Sequence, residues 1–154
     1  MKKQFEAELN YLVENFSCLP YGYPNIGEWF KKRILANLET RYILSVRQET
    51  VVVGLIIIDI KEGKICHLSV DSFYRRIGMG TFLYKSALQN FKDCGIKTIF
   101  TQGCLYALNS FVPFTKIFAS RTLTSNNIWK VIGLSESYYG RDLVGKDILI
   151  QLEL

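Results

Sequence analysis

Two glycines, two positions apart, have the surroundings of a phosphate-binding turn. Gly78 and Gly80 follow a strand-like run of apolar and β-branched residues at 65–70 and precede apolar residues at helical spacing. Glycine lets the backbone approach an anion closely, and the first turn of a helix presents unpaired N–H groups. Arg75 and Arg76 add formal positive charge nearby. The stretch predicts a phosphate site, with a tight strand-to-helix turn that holds no ligand as the simpler alternative.

The two best-known nucleotide-binding loops fit this stretch poorly. The dinucleotide motif G-x-G-x-x-G needs a third glycine where Leu83 stands, and an acidic residue on the next strand, which residues 97–101 lack. A P-loop would continue with Gly-Lys and then Ser or Thr, and none follows here. These departures argue against a dinucleotide-dependent oxidoreductase and against a P-loop nucleotidase.

A third pattern agrees with the stretch and its flanks. The order strand, turn, Arg75-x-x-Gly78-x-Gly80, helix resembles the signature of the GNAT acetyltransferase superfamily. Residues 68–71 (Leu-Ser-Val-Asp) resemble the family's Leu-x-Val-x stretch, and Tyr74 stands where an aromatic residue often precedes the arginine. The resemblance implies the GNAT-like α/β fold: a mixed (α+β), mostly antiparallel central sheet with one parallel, splayed strand pair, flanked by helices.

The resemblance also implies acetyl-CoA as the acyl donor and assigns residues to it. The N–H of Leu68 would polarise the thioester carbonyl, and the backbone of Ser69 and Val70 would pair with the pantetheine arm like an added strand. Asn109 would touch the same arm if the family's fourth helix lies at residues 114–119. The predicted cofactor-binding residues of the loop and first helical turn are Arg75, Arg76, Ile77, Gly78, Met79, Gly80 and Thr81.

Acid and base groups are harder to assign. Lys64 stands where some family members carry a catalytic glutamate, and a lysine at its ordinary pKa cannot be that base. His67 is the only histidine, but strand alternation puts it on the opposite face from Leu68, which favours a packing role. Tyr138 is the candidate general acid. Tyr139 is the other candidate for the general acid. Asp59 or Glu62 acting through a water is a separate possibility for proton transfer.

The amphipathic pattern predicts two helices before the sheet. Residues 4–16 and 28–38 carry apolar side chains at helical spacing, and residues 17–27 between them hold two prolines and two glycines, which predicts a loop. The resemblance places this loop over the acceptor site. Tyr21 and Tyr23 are therefore candidate substrate contacts, with hydrophobic anchoring of the loop as the alternative.

The sheet is predicted from β-rich runs. Residues 42–46 and 51–60 should form a hairpin, and the turn at 61–64 should lead into the central strand that ends at Val70. These three strands should be antiparallel, whereas the strand at 96–101, reached through a helix, should lie parallel to the third. Residues 147–152 predict a final strand.

Two registers compete for the family's fourth helix. One places it at residues 114–119, with Pro113 in its first turn, and the other places it at residues 129–134. The spacing from Gly80 favours the first register.

Composition bounds the remaining possibilities. The 154 residues, 49% of them hydrophobic, suit a single domain over 1–154, and no apolar run approaches the roughly 20 residues of a membrane helix. The net charge of +5 comes without a basic run, so nothing indicates nucleic-acid binding. Four cysteines without a Cys-x-x-Cys pair, beside one histidine, argue against a metal site. With no signal-peptide pattern, we expect reduced thiols and a cytoplasmic protein.

These inferences converge on an N-acetyltransferase that moves an acetyl group from acetyl-CoA to a primary amine by direct attack on the thioester. The acceptor, a small molecule or a protein, cannot be named from the loops. The alternative is a catalytically inactive CoA-binding or regulatory module of the same fold. Dimers are common in the family, so the resemblance leaves a homodimer open.

Overall fold

A computed structural model of the chain describes residues 5–17, 31–32, 34–104, 130–135 and 147–154. Its regular elements are α1 (Glu6–Ser17), β1 (Arg41–Gln48), β2 (Val51–Asp59), β3 (Lys64–Val70), a 3₁₀ turn (Ser72–Tyr74), α2 (Met79–Asp93), β4 (Thr98–Cys104), β5 (Lys130–Ser135) and β6 (Asp147–Glu153). Residues 31–32 and 34–36 are also helical. No helix within these ranges is long and apolar enough to cross a membrane.

The strands form one mixed sheet in the order β1-β2-β3-β4-β6-β5. Every neighbouring pair is antiparallel except β3 and β4, which are parallel and are joined through α2. This arrangement confirms the predicted mostly antiparallel sheet with one parallel pair. The parallel pair follows from the crossover, since a strand–helix–strand connection returns the second strand in the same direction.

Strand β2 carries the core on both of its faces. Leu55 and Ile57 point toward α1, and Ile56 and Ile58 point toward α2, all with no exposed surface. Successive side chains of a strand alternate between the two faces of a sheet, so an uninterrupted apolar run requires cover on both sides. β2 is therefore an interior strand, paired on both sides and covered on both faces.

Helix α2 packs one stripe of side chains against the sheet. The buried residues are Leu83, Tyr84, Ala87, Leu88 and Phe91. Phe82 belongs to the apolar residues at helical spacing that follow the glycines, but it is 62% exposed, so its predicted place on this stripe is wrong. At about 100° per residue the stripe centres on the 84–87–88–91 row, which turns Phe82 away and buries Tyr84. Gly95, with φ +74°, follows the C-cap residue Cys94 and ends the helix.

A buried carboxylate ties α1 to the edge strand β1. Glu8 Oε1 accepts hydrogen bonds from Ser45 Oγ at 2.8 Å and from Arg47 Nη2 at 2.6 Å. Burial alone would raise the pKa of Glu8, but these two bonds outweigh it and hold the pKa below its ordinary value. Glu8 is therefore ionised, and α1 is anchored by charge as well as by apolar packing.

Strand β5 excludes one of the two registers predicted for the fourth helix. Residues 130–135 pair antiparallel with β6, so the helix predicted at residues 129–134 is wrong. The run contains Val131, Ile132 and Leu134, and a short apolar run of this kind is compatible with either a strand or a helix until a neighbouring strand pairs with it. The other register, at residues 114–119, lies outside the described residues.

Candidate functional site

The glycine loop ends in an uncapped helix. Gly78 occupies the N-cap position of α2 with φ +93°, and it offers no side chain to the amides of the first turn. Its carbonyl accepts the first helical bond, from the N–H of Phe82 at 2.9 Å. The first turn also contains no acidic side chain. The amides of Met79, Gly80 and Thr81 are thus presented without a capping side chain, which is the arrangement that binds an anion at a helix N-terminus.

Gly80 leaves space beside these amides. A Cβ atom built on Gly80 would meet only Val70 Cγ2, at 3.7 Å, an ordinary van der Waals contact. The fold itself therefore does not require a glycine at this position. Gly78 differs, because its left-handed backbone is one that L side chains rarely adopt.

Asp71 shapes the turn that leads into this loop. Its N–H donates to the carbonyl of Val53 at 2.8 Å, which holds the end of β3 to β2. Its Oδ1 accepts from the N–H of Phe73, and its carbonyl accepts from the N–H of Tyr74. The aspartate of the Leu-Ser-Val-Asp stretch thus fixes where the chain leaves the sheet.

The two arginines of the loop differ in what the structure shows of them: a side-chain hydrogen bond for Arg75 and a left-handed backbone conformation for Arg76. Arg75 Nε donates to the carbonyl of Val70 at 2.8 Å, so this guanidinium is held against the end of β3. Arg76 has φ +64°, a left-handed conformation uncommon for a residue other than glycine. Sequence analysis predicted the charge of both arginines beside the phosphate site but gave no sign of the Arg75–Val70 bond.

Strands β3 and β4 part shortly after they meet. Lys64 and Phe100 form the single register pair between them, and Phe100 N–H donates to the carbonyl of Gly63 at 2.8 Å. From there both strands continue, to Val70 and Cys104, while β3 stays paired with β2 and β4 stays paired with β6. The resulting opening, here called the slot, reaches the N-terminus of α2 at the end of β3, where a Cβ atom built on Gly80 would lie 3.7 Å from Val70 Cγ2.

The register decides which backbone groups face the slot. Asp71 N–H bonds to β2, and Ser69 and His67 lie opposite Leu55 and Ile57 at the next paired positions of that ladder. Because hydrogen-bonding direction alternates along a strand, the N–H and C=O of the intervening Leu68 face the slot, as do those of Val70. The backbone of Ser69 faces β2 in this ladder, opposite Leu55, and its pairing with the pantetheine arm stays a prediction.

A β-bulge lies at the middle of β3. Ile57 pairs with His67 and Ile58 with Ile65, so Cys66 is an extra residue with no register partner on β2. Burial raises the pKa of the Cys66 thiol to about 11, which keeps it protonated and unreactive. No feature of the sequence predicts the bulge.

His67 and Ser69 face α1, away from Leu68 and the α2 side of the sheet. His67 Nε2 and Ser69 Oγ are 2.9 Å apart and form a hydrogen bond. Although part of His67 remains accessible, desolvation of the ring lowers its pKa to about 3, so the imidazole is neutral at ordinary pH. The predicted separation of His67 from Leu68 by strand alternation agrees with this arrangement.

Tyr11 of α1 lies over the same end of β3. Its buried hydroxyl has no hydrogen-bond partner among the described residues, although the Ser69 hydroxyl is close enough to affect its pKa. Burial raises the pKa of Tyr11, and the proximity of Ser69 opposes this shift. Sequence analysis did not single out Tyr11. Glu8, one turn earlier, was also missed, although a carboxylate three residues after Phe5 and four before Leu12 on an apolar helix face is a usable signal.

Four predicted site residues lie outside the described part of the chain: Tyr21, Tyr23, Asn109 and Tyr138. Within the described ranges, no group of three or more His, Cys, Asp or Glu side chains could hold a metal ion.

Sequence comparisons locate the region of family similarity. The family model described as "Acetyltransferase (GNAT) domain" matches residues 16–111, which include β3, the 3₁₀ turn, the glycine loop and β4. No curated protein matches the chain in a sequence comparison.

Solved structures share the fold at low sequence identity. A GNAT-family acetyltransferase from Staphylococcus aureus Mu50 superimposes with a TM-score of 0.68 at 17% identity, over 100% of this chain and 96% of that one. The PaiA N-acetyltransferase of Thermoplasma acidophilum, solved with coenzyme A, gives 0.64 at 15% identity, over 99% and 93%. Arabidopsis thaliana Naa50, solved with the bisubstrate analogue CoA-Ac-MVNAL, gives 0.63 at 17% identity, over 100% and 95%.

Proposed function

The chain belongs to the GNAT acetyltransferase family, and from this membership we propose that it transfers an acetyl group from acetyl-CoA to a primary amine. The observation that carries the proposal is the continuity of two features: the slot between β3 and β4 opens toward the uncapped first turn of α2. A pyrophosphate and a peptide-like arm, joined as they are in coenzyme A, match that combination.

Each part of the donor has a proposed place. The pyrophosphate lies against the amides of the loop and first turn: those of Arg76, Ile77, Gly78, Met79, Gly80 and Thr81. The pantetheine amides pair with the backbone of Val70 at the edge of β3. Arg75 lies at the same edge, where its Nε donates a hydrogen bond to the Val70 carbonyl.

The chemistry is a direct acyl transfer. The amine nitrogen attacks the thioester carbon, a C–N bond forms, and the C–S bond breaks. The N–H of Leu68 stabilises the negative charge that develops on the carbonyl oxygen. The amine gives up one proton and the departing sulfur takes one up, with solvent as the carrier unless a side chain serves. Tyr138 is the proposed proton donor to the sulfur.

The described residues supply no strong general base. The imidazole of His67 is neutral and could accept a proton, but it faces α1, and desolvation opposes its charged form. The proposal therefore gives His67 a structural role. Water carries the amine proton away.

The acceptor is proposed only as a class. The Naa50 structure contains a peptide joined to coenzyme A, which is a property of that protein. By analogy of fold, the acceptor of this chain carries a primary amine, on a peptide or a small molecule. Tyr21 and Tyr23 contribute to its site, and Asn109 contributes to the pantetheine site.

The test is calorimetric titration with acetyl-CoA, with NADH as the negative control, followed by a thiol-release assay with a panel of amines. Gly80→Leu should lower acetyl-CoA affinity by at least about tenfold, or 1.4 kcal/mol, because the leucine occupies the approach to the first-turn amides. The melting temperature should hardly change, since a Cβ atom at this position makes only an ordinary van der Waals contact, with Val70 Cγ2 at 3.7 Å.

Gln89→Leu is the matched control, because it places the same side chain at an exposed position of α2 away from the loop. Unchanged acetyl-CoA affinity in Gly80→Leu would overturn the proposed phosphate site. Binding of acetyl-CoA without turnover on any amine would favour the inactive CoA-binding module.

A further inference from the structure

A side chain, Thr101, closes the inner end of the slot. Its Oγ1 donates to the backbone carbonyl of Ile65 at 3.2 Å, across the gap between β4 and β3. In a regular parallel ladder Phe100 would bond to residues 63 and 65, and the next donor to the Ile65 carbonyl would be the N–H of Gln102. Lys64 and Phe100 form the single register pair between the two strands, so the regular ladder ends there, and the Thr101 hydroxyl contacts the Ile65 carbonyl just beyond it.

The Thr101–Ile65 bond lies in the direction in which the acyl chain of a bound acyl-CoA would extend. Resting on the proposed function, the pyrophosphate lies beyond Val70, and the pantetheine arm runs back along β3 to the thioester at Leu68. The acyl carbons then continue from Leu68 toward Ile65. Three residues of strand separate Leu68 from Ile65, about 10 Å in an extended strand and less across the bulge at Cys66. The acyl group therefore points at the Thr101–Ile65 bond.

We infer that Thr101 is a specificity-determining residue that sets the depth of the slot and so restricts the acyl donor to short chains. The hydroxyl holds β4 against β3 at the point where the register pairing of the two strands ends. An acetyl group ends well before this closure, whereas a longer aliphatic chain must part the two strands to enter. Parting them leaves the Ile65 carbonyl without its donor, which costs free energy in a partly buried position.

The experiment measures affinity, so it does not depend on the unidentified acceptor. The full-length protein is titrated with acetyl-, propionyl-, butyryl- and hexanoyl-CoA. We expect the wild type to bind hexanoyl-CoA at least about tenfold more weakly than acetyl-CoA, within the range that hydrophobic pockets achieve for added methylenes.

Thr101→Val keeps the shape of the side chain and removes the donor. This variant should reduce the discrimination between hexanoyl- and acetyl-CoA to about threefold or less, while Thr101→Ser, which keeps the hydroxyl, should preserve the wild-type ratio. Thr98→Val is the matched control, because it removes a hydroxyl from the same strand away from the slot.

Two results would overturn the inference while leaving the proposed function intact: a wild type that binds hexanoyl-CoA as tightly as acetyl-CoA, or a Thr101→Val variant with an unchanged ratio. The first result is measured on the wild type alone, so it tests the inference even if the Thr101→Val variant does not fold. Failure of the wild type to bind any acyl-CoA would instead overturn the proposed function, and with it this inference.

Discussion

The neutral state of His67 links one residue to the acid stability of the fold. Its ring lies on the α1 side of the sheet and bonds to Ser69, and desolvation lowers its pKa from 6.5 to about 3. In the unfolded chain the same imidazole returns to its ordinary pKa. Between these two values the unfolded state binds a proton that the folded state does not, so the folded state loses stability as pH falls.

We therefore predict that the free energy of unfolding decreases from pH 6.5 toward pH 3, with at most about 1.4 kcal/mol per pH unit arising from His67 alone. His67→Gln should lack this component. Urea denaturation of both proteins at several pH values isolates it, because the carboxylates titrate equally in each. Parallel stability curves for the two proteins would show that His67 does not titrate as its burial implies.

Residue-scale contacts of the slot were beyond sequence analysis for a definite reason. The glycine spacing at 78 and 80 is a local property of the chain, so it could be read directly. The bonds from Arg75 to Val70 and from Thr101 to Ile65 exist only because the strands part and a bulge shifts the register. The family resemblance implied the parting of the strands, whereas no pattern in the sequence marks the bulge, and both set the geometry of the candidate site.

At the scale of elements, the anchoring of α1 depends on one ionised side chain. Glu8 has 5% of its side chain exposed, and Arg47 has 41% exposed. Removing one partner of a buried ion pair usually costs several kcal/mol, but the exposure of Arg47 reduces the expected loss. Arg47→Met should therefore lower the free energy of unfolding by about 1–3 kcal/mol at neutral pH.

The pH dependence of this loss has a definite sign. The pKa of Glu8 lies below its ordinary 4.5 in the folded state, so its stabilisation is present above pH 4.5 and is lost as pH falls below that value. The difference between wild type and Arg47→Met should accordingly shrink in acid. Glu8→Gln and the double variant complete a thermodynamic cycle. A difference that stays constant down to pH 3 would contradict an ionic anchor.

Elements with a clear period were predicted well, and a short one was not. The runs that became α1, β2 and α2 each hold their periodicity or apolar character over nine or more residues. The six-residue β5 has too few residues to distinguish a strand from a helix, and its identity comes from pairing with β6. Predicted ends also differed by a few residues, as with β4, which extends to Cys104.

At the scale of the whole molecule, the sheet combines a fully buried strand, β2, with the open slot between β3 and β4. The four residues Leu55 to Ile58 of β2 have no exposed surface and pair on both sides, to β1 and to β3. Their amides should exchange hydrogen only when the whole domain unfolds. The amides that face the slot have no partner strand across the opening, so they should exchange at lower cost.

Hydrogen exchange can therefore distinguish ligand in the slot from ligand elsewhere on the protein. We predict that saturating acetyl-CoA slows exchange at Leu68 and Val70 beyond the uniform slowing that binding gives to globally exchanging amides. Ser69, which lies between them, is the internal control: its amide faces β2 in the ladder opposite Leu55, so it should show only the uniform effect. Residue-resolved exchange by NMR makes the comparison within one sample. Equal slowing at all three amides, under conditions where calorimetry reports saturation, would mean that the donor does not pair with the edge of β3.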